Sequence, residues 1–571
     1  MGLPRIYTLH AFALSQLVRN RAVMRDLGQP LRIADDWEQR WIIEEDLKRL
    51  TDRDLDYVQE RFNDLSADWS TLSADEEGWE QRFPDPAFLG AWQEHRKLFG
   101  YSLRSELVYQ LKRSIDEFGD QFTVDRATHI LVDEYQDLNP CDLAIVKHLV
   151  SQGSEPYIAG DDDQSIFGFR HAFPRGIRNF PHEFAPSTDR PLTLCKRCDK
   201  AVIDIGLFVA RQDYARIEKE IVHEAGRDGG EVKILRFADQ YREAQGIARI
   251  AKHFIDSESF RAHELLVLLR SDHNGAMSKV LREAFSALDI PVVATTGSTP
   301  LDSTIGRKTL SVLRLAADLE DQLALRTWLQ LATGIGVGTL DRLYNLAKEA
   351  EGFTNAVHRV IADPSLVTPR GRQVAETADF ALRLARQVAS DVAGDQVLPP
   401  EAFLDYIVGI AKQVDPESSD HAELVEYLEY LVTTSDLVNL DSFFQTIQSI
   451  NDDVDNLLQI GKVNIMTMHR AKGLTSPVVI VAGCDDGFIP GRNEAGRHAA
   501  DERRLLYVSL TRAMHHLYVT YATSRIAQQS HSGRQGSDAR RLTRFLRNGP
   551  VGPIGGAEFA AGLATAAGVS A

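Results

Sequence analysis

Four cysteines in 571 residues (Cys141, Cys195, Cys198 and Cys484) are too few for a disulfide framework, which excludes a stapled extracellular scaffold and fits a reducing cytoplasm. Long apolar runs are also missing: none approaches the ~20 residues of a membrane span. The first residues show no signal-peptide apolar region, and Ile6 stands where a myristoylation site would need Ser or Thr. A soluble cytoplasmic protein with no membrane partner is expected. Positive charge is short as well. A formal net charge of -18 argues against a uniformly DNA-coating surface, although it says nothing about local grooves. The last absence concerns chemistry. Nowhere does the sequence contain G-x-x-x-x-G-K-[ST], the loop whose amides and lysine cradle nucleotide phosphates. Gly461-Lys462 does not substitute, because it leads directly into a strand.

What is present is ordinary globular material, 43% apolar and 26% charged, long enough for roughly three to five structural units. Charge is unevenly spread. Asp35 to Asp120 holds 22 acidic against 11 basic side chains, whereas Arg492 to Arg547 holds 11 basic against 4 acidic. The acidic stretch places apolar residues three and four apart and has few glycines, which predicts several amphipathic helices. Strand-like runs follow at His129–Val132, Pro156–Ala159, Pro191–Leu194, Val232–Phe237, Glu264–Leu269 and Ile290–Ala294, separated by helical patterns. That alternation argues for parallel α/β layers. A second helical stretch runs from Thr309 to about Leu458. Strand signals then return at Val463–Met468, Pro477–Ala482 and Leu517–Ala522, with a helical pattern at Asp501–Met514. The glycine- and alanine-rich tail after Asn548 is expected to be disordered.

Four strings carry chemistry. Ile130 to Asp137 reads ILVDEYQD, an apolar strand delivering Asp133 and Glu134 to its carboxyl end, where doubly wound sheets place a magnesium-holding carboxylate beside a water-activating one. Alone it could equally be a solvated acidic turn. Gly160 to Arg170 reads GDDDQSIFGFR: Gln164 can accept from water and donate to a phosphate oxygen. Phe169 is either core packing or a platform for an unpaired base, a contact worth about 1–3 kcal/mol. Val463 to Leu474 reads VNIMTMHRAKGL, a strand running into Thr467, His469, Arg470, Lys472 and Gly473, groups suited to sugar-phosphate. Asp501 to Arg512 reads DERRLLYVSLTR. A guanidinium at its end suits the charge of a transferring phosphoryl, or is simply an exposed helix-end arginine favoured by the helix dipole. Cys195-x-x-Cys198 has the spacing of half a zinc site, but Cys141 and Cys484 supply no second pair, so no metal is expected there.

In this order the four strings resemble the second, third, fifth and sixth motifs of the UvrD/Rep superfamily 1 DNA helicases. Arg197 in LTLCKRCDKAVIDI resembles the arginine of the fourth motif, and Tyr7 to Leu14 (YTLHAFAL) resembles a short DNA-contacting segment. The resemblance implies an α/β fold of two RecA-like parallel-sheet domains, the first incomplete, each interrupted by a mainly helical insertion. The first domain would comprise residues 1–18 and 119–190, with residues 19–118 inserted. The second would comprise 191–300 and 456–535, with 301–455 inserted, and 536–571 would form the tail. It further implies an ATP-dependent 3′-5′ DNA helicase or translocase using ATP and Mg2+. Asp133 would hold magnesium and Glu134 would activate water. Gln164 would sense the γ-phosphate, Arg197 and Arg512 would reach it, and Gly473 would also line the nucleotide. Thr8, His10, Phe169, Arg170, Thr467 and His469 would lie along single-stranded or partly duplex DNA.

The sequence departs from the family pattern in three places. Only six residues precede Tyr7, where the family carries an adenine-reading glutamine, the phosphate loop and a further DNA motif. Thr475 stands after the KGL string where a ribose-contacting glutamate is usual, and Cys195-Lys196 replaces an asparagine-aromatic pair. The expectation is a chain lacking its first ~50–70 residues, the stretch that would hold the phosphate loop, through a misplaced start or a split gene whose second polypeptide supplies the loop. The alternative is a non-catalytic DNA-binding or regulatory subunit derived from a helicase.

Overall fold

The computed structural model describes residues 5–20, 22–23, 32–168, 175–294, 299–391, 399–434, 439–450, 458–491, 497–530 and 537–566. They form two compact units. One comprises Met1–Thr128, Pro140–Ser154 and Ser298–Asp452; the other comprises His129–Asn139, Glu155–Gly297 and Asp453–Ala571.

The first unit is helical, as the three- and four-residue spacing predicts. Its longer helices are Leu9–Arg19, Leu55–Thr71, Pro86–Phe99 and Leu107–Phe118 from the front of the chain, and Thr304–Ala317, Val337–Glu349, Gly371–Asp391 and Pro400–Val414 from the later stretch. Local chemistry sets their ends. Asp54 caps Leu55–Thr71 by accepting from the Tyr57 amide, Asp85 caps Pro86–Phe99 with proline in its first turn, and Gly100 ends that helix in the left-handed region. One buried core runs through both helical stretches. It also encloses an ionic cluster: Arg326 donates to Asp46 at 2.7 Å, and His95 lies 3.3 Å from the other oxygen of that carboxylate. Burial would raise the Asp46 carboxyl, but Arg326, His95 and Arg49 overcome it and hold it well below the usual range. Taking one partner from such a group is costly, because the other is left charged and out of water.

The second unit holds a seven-stranded sheet in which every pairing is parallel. Its order is Pro553–Gly555, Glu231–Phe237, Ala513–Ala522, Ser476–Val481, Leu265–Leu269, Val463–Thr467, Val292–Ala294. A parallel sheet is covered on both faces, so its strands are continuous apolar runs; all five residues of Leu265–Leu269 are buried. Leu266, Leu268, Val479, Val481, Leu517 and Val519 enter one core, together with the helices Lys200–Ala210 and Arg497–Leu510. Leu265, Val267, Leu269, Val478, Ile480 and Tyr518 enter the other, with Gln240–Asp256 and Ser278–Ser286. Each such side chain contributes about 1.5–3 kcal/mol of burial.

The tail corrects the sequence reading. Pro553–Gly555 pairs with Ile234–Arg236 as the edge strand, and the helix Gly556–Ala566 follows it. Low charge and glycine predict disorder there, but Phe559 and Leu563 pack on the core beside Tyr518. The expected strand at Pro191–Leu194 is reduced to Leu194–Cys195, paired with Val222–His223.

Two further strands, His129–Val132 and Glu155–Ile158, form a separate two-stranded parallel sheet, in register from His129↔Glu155 to Val132↔Ile158. Its faces are open: Leu131 is 81% exposed and Tyr157 52%. Parallel strands are normally buried on both faces, and two strands alone are marginal in water.

Candidate nucleotide and DNA site

The acidic strand end is built by backbone geometry. After Val132 the chain passes through Asp133 to Glu134, which sits in the left-handed region at φ 51°. The Tyr135 amide returns to Ala159 O at 3.0 Å, and Ala159 N bonds Val132 O at 2.9 Å, so the two strand ends leave together. Asp133 Oδ1 accepts from the Glu134 amide at 2.9 Å, and both carboxylates are exposed. An exposed carboxylate oxygen is a suitable donor for Mg2+, which takes one or two such groups and keeps water or phosphate for the rest.

A residue the sequence reading did not single out joins this turn to the next loop. Gln136 is fully buried; its amide donates to Glu134 Oε2, its Oε1 accepts from the Asp161 amide at 3.0 Å, and its carbonyl accepts from Ser165 Oγ at 3.0 Å. Gly160 is required by this close approach. A Cβ there would collide with Gln136 Oε1 and lie 2.7 Å from Ile177 Cδ1. Gln164 is half-buried, with its side chain donating to Asp161 Oδ2 at 2.9 Å.

The carboxylates of Asp161, Asp162 and Asp163 lie within 4.8 Å of one another, yet cations already engage them. Lys219 Nζ is 2.7 Å from Asp162 Oδ1 and also contacts Asp161. Arg178 Nε is 2.9 Å from Asp162, and Arg216 Nη2 is 2.6 Å from Asp163. Burial pushes the Asp162 carboxyl up, but Lys219, the Ile217 amide and Arg178 bring it below its usual value. These three aspartates brace the loop.

Lys472 lies at the same place. Its ammonium contacts Asp137, is 3.2 Å from Glu134 Oε2 and 3.3 Å from Gln164 O, and stands 5.2 Å from the Phe167 ring centre. The resemblance assigns Lys472 to the second domain; here its ammonium lies beside Glu134. Nearby, Gly473 is exposed at φ 90°. Thr467 ends its strand and is half-buried, as is His469. Thr8 accepts from the Ala11 amide at 3.1 Å, which makes it the N-cap of Leu9–Arg19; it and His10 belong to the helical unit. Phe169 and Arg170 lie outside the described residues.

Arg512 is not an exposed helix-end arginine. It is 1% exposed, donating from Nε to Val508 O at 2.9 Å and from Nη1 to Leu474 O at 3.2 Å, while Nη2 has no hydrogen-bond partner among the described residues. Burial and the like charge of Arg197 pull this guanidinium down to about 10. A buried guanidinium with an unspent donor, which feels the like charge of Arg197, suits a phosphate oxygen.

Residues 1–185 match the model of the UvrD/REP helicase N-terminal domain, and residues 403–524 that of the UvrD-like helicase C-terminal domain. Together these cover more than half of the chain. It belongs to the UvrD/REP helicase family. Among relatives, DNA helicase II of Escherichia coli (strain K12) is 28% identical over 422 residues, 70% of this chain and 56% of that protein. The ATP-dependent DNA helicase PcrA of Staphylococcus aureus (strain MRSA252) is 25% identical over 424 residues, 70% of this chain and 55% of that protein. This UvrD/REP-family chain thus spans about half the length of the curated relatives it matches.

Proposed function

We propose that this protein is the motor chain of an ATP-dependent 3′-5′ DNA helicase or translocase that acts on single-stranded DNA and needs a phosphate-binding loop its own sequence does not contain. The observation carrying this reading is Arg512, a buried guanidinium with an unspent donor beside Arg197, in the same compact unit as the Asp133-Glu134 strand end. A buried structural arginine is usually paired with a carboxylate, and Arg512 has no such ion pair among the described residues. Asp133 would hold Mg2+, which supplies charge neutralisation on the nucleotide. Glu134 takes a proton from the attacking water, Gln164 orients toward the phosphate, Arg197 and Arg512 receive the developing charge, and Gly473 lets backbone approach the nucleotide. On the family resemblance, Thr467 and His469 would contact the DNA strand, and Thr8, His10, Phe169 and Arg170 would each do so too.

The open sheet of His129–Val132 and Glu155–Ile158 is where the loop-bearing segment would add its strands, whether it is encoded ahead of Met1 or on a second polypeptide. Losing even one preorganised donor of an anion cradle costs about 10²–10³ in rate, so hydrolysis without that segment is expected to be negligible. A second reading, a non-catalytic DNA-binding or regulatory subunit, draws support from Lys472, whose ammonium occupies Glu134, the carboxylate that would activate water. Single-strand binding measured over a salt series tests the DNA half of both readings. Affinity should fall steeply with salt, and salt-independent or absent binding would remove it.

A further inference from the structure

The helical unit holds a cavity of about 500 Å³ that the helicase chemistry does not use. Three helices supply its aromatic wall: Trp69 comes from Leu55–Thr71, Trp92 from Pro86–Phe99, and Tyr109 from Leu107–Phe118. The ring centre of Trp69 lies 5.8 Å from that of Trp92 and 6.5 Å from that of Tyr109, with the latter two planes only 22° apart. Two buried polar atoms of lining residues are left over. Trp92 Nε1 and Gln110 Oε1 are closed to bulk solvent and have no hydrogen-bond partner among the described residues. A buried indole N–H normally finds an acceptor; Trp79, which also lines the cavity, gives its own to Asp68 at 2.6 Å. Chemistry fixes the Gln110 amide: its Nε2 donates to Glu106 Oε2 at 3.0 Å, and a reversed amide would set oxygen against carboxylate. The lining therefore carries one donor and one acceptor, both unspent.

That pair selects the ligand. An ammonium or a metal ion would satisfy Gln110 and leave Trp92, and an anion would do the reverse. An anion would also meet Asp75, Glu76, Glu80 and Glu106 in the lining. Against these stand Arg96 and Arg113, and Arg96 is already held by Glu106 at 3.2 Å. What fits is a flat, phosphate-free molecule with a donor beside an acceptor on one edge. Nucleobases carry such edges, and they stack on aromatic side chains. The volume is that of an ordinary small-molecule site.

We propose that this cavity binds a nucleobase or nucleoside that carries no phosphate. The base lies on the wall of Trp69, Trp92 and Tyr109, with Trp92 Nε1 donating to it and Gln110 Oε1 accepting from it. These residues belong to the helical unit and Asp133 and Glu134 to the other, so the inference does not rest on the helicase reading.

The test takes the full chain with isotope-labelled indole nitrogens on its six tryptophans. Adenosine, cytidine, inosine and uridine are titrated in turn, each beside its monophosphate. The Trp92 indole N–H resonance, assigned by its loss in Trp92→Phe, should shift saturably with at least one nucleoside, and the matching monophosphate should bind about tenfold more weakly. Gln110→Leu should weaken that nucleoside by about tenfold, because one donor of the ligand is then buried without a partner. The titration of the unmodified chain decides the outcome even where a variant fails to fold. No shift of Trp92 with any nucleoside, which would leave water as the occupant, or a monophosphate bound as tightly as its nucleoside, would overturn the proposal.

Discussion

Replacing Arg512 by methionine removes the charge while keeping most of the side-chain length, and it separates an anion-binding arginine from a structural one. The guanidinium is nearly inaccessible, and burial with Arg197 brings it down from its ordinary value to about 10. Both values lie above neutrality, so the group is charged in the folded and the unfolded chain at pH 7. A basic group depressed on folding gives back its stability only at pH above its unfolded value, so at neutral pH the depression is a cost to the folded state. A depression of this size corresponds to about 3 kcal/mol. Against it stand the hydrogen bonds to Val508 O and Leu474 O, each worth about 1 kcal/mol or somewhat more for a charged donor. The effects nearly cancel, and Arg512→Met is expected to change the unfolding free energy by less than about 1 kcal/mol, whereas truncating one member of a buried, satisfied ion pair costs about 3–5 kcal/mol. Urea unfolding at pH 7.5 with an unchanged m-value measures this. Tripolyphosphate should raise the urea midpoint of the unmodified chain but not that of the variant. A loss of 3 kcal/mol or more, with the tripolyphosphate effect intact, would refute the reasoning and return Arg512 to a structural role.

Two further outcomes follow from the geometry. Gly160→Ala should cost about 1–3 kcal/mol, because the added methyl collides with Gln136 and has no free space; the Asp161 amide, which donates to Gln136, should then exchange with deuterium faster, and unchanged exchange would contradict the contact. Asp485 is fully buried against Arg525 at 2.8 Å, and burial raises its carboxyl to about 6 despite that partner. A carboxyl raised on folding stabilises fully below its unfolded value, near 4, and loses that contribution as pH rises through about 6. The stability of the unmodified chain relative to Asp485→Asn should therefore fall between pH 5 and pH 7, whereas a flat difference would show that the shift is not there.

Much of the large sheet was legible because parallel strands buried on both faces must be continuous apolar runs: VNIMT, SPVVIV and LLVLL announce themselves. The acidic strand end was legible as an apolar run that stops abruptly at Asp133, although Leu131 of that run is exposed. Long-range partners were not. Nothing in GDDDQ says that Lys219, Arg178 and Arg216 neutralise its aspartates. Gln136 carries no sequence signal of its own, and only its burial and bonds show it as the tie between two loops. Lys472 was read as a sugar-phosphate contact because its spacing from His469 fixes the turn it sits on but not the loop it reaches. The edge strand Pro553–Gly555 is three residues long, too short for any period to show, and its place is decided by pairing with Ile234–Arg236.

The central proposal is that this chain carries the water- and metal-handling residues of a DNA motor and needs a phosphate loop that its sequence does not contain. The most direct measurement is ATP hydrolysis with and without single-stranded DNA, by the chain alone and by the chain supplied with a loop-bearing segment, either fused ahead of Met1 from the upstream coding DNA or added as a partner polypeptide. The account predicts negligible hydrolysis alone, DNA-stimulated hydrolysis once the segment is supplied, and its loss again on Glu134→Gln. Robust hydrolysis by the chain alone, or none with any loop-bearing segment, would contradict it.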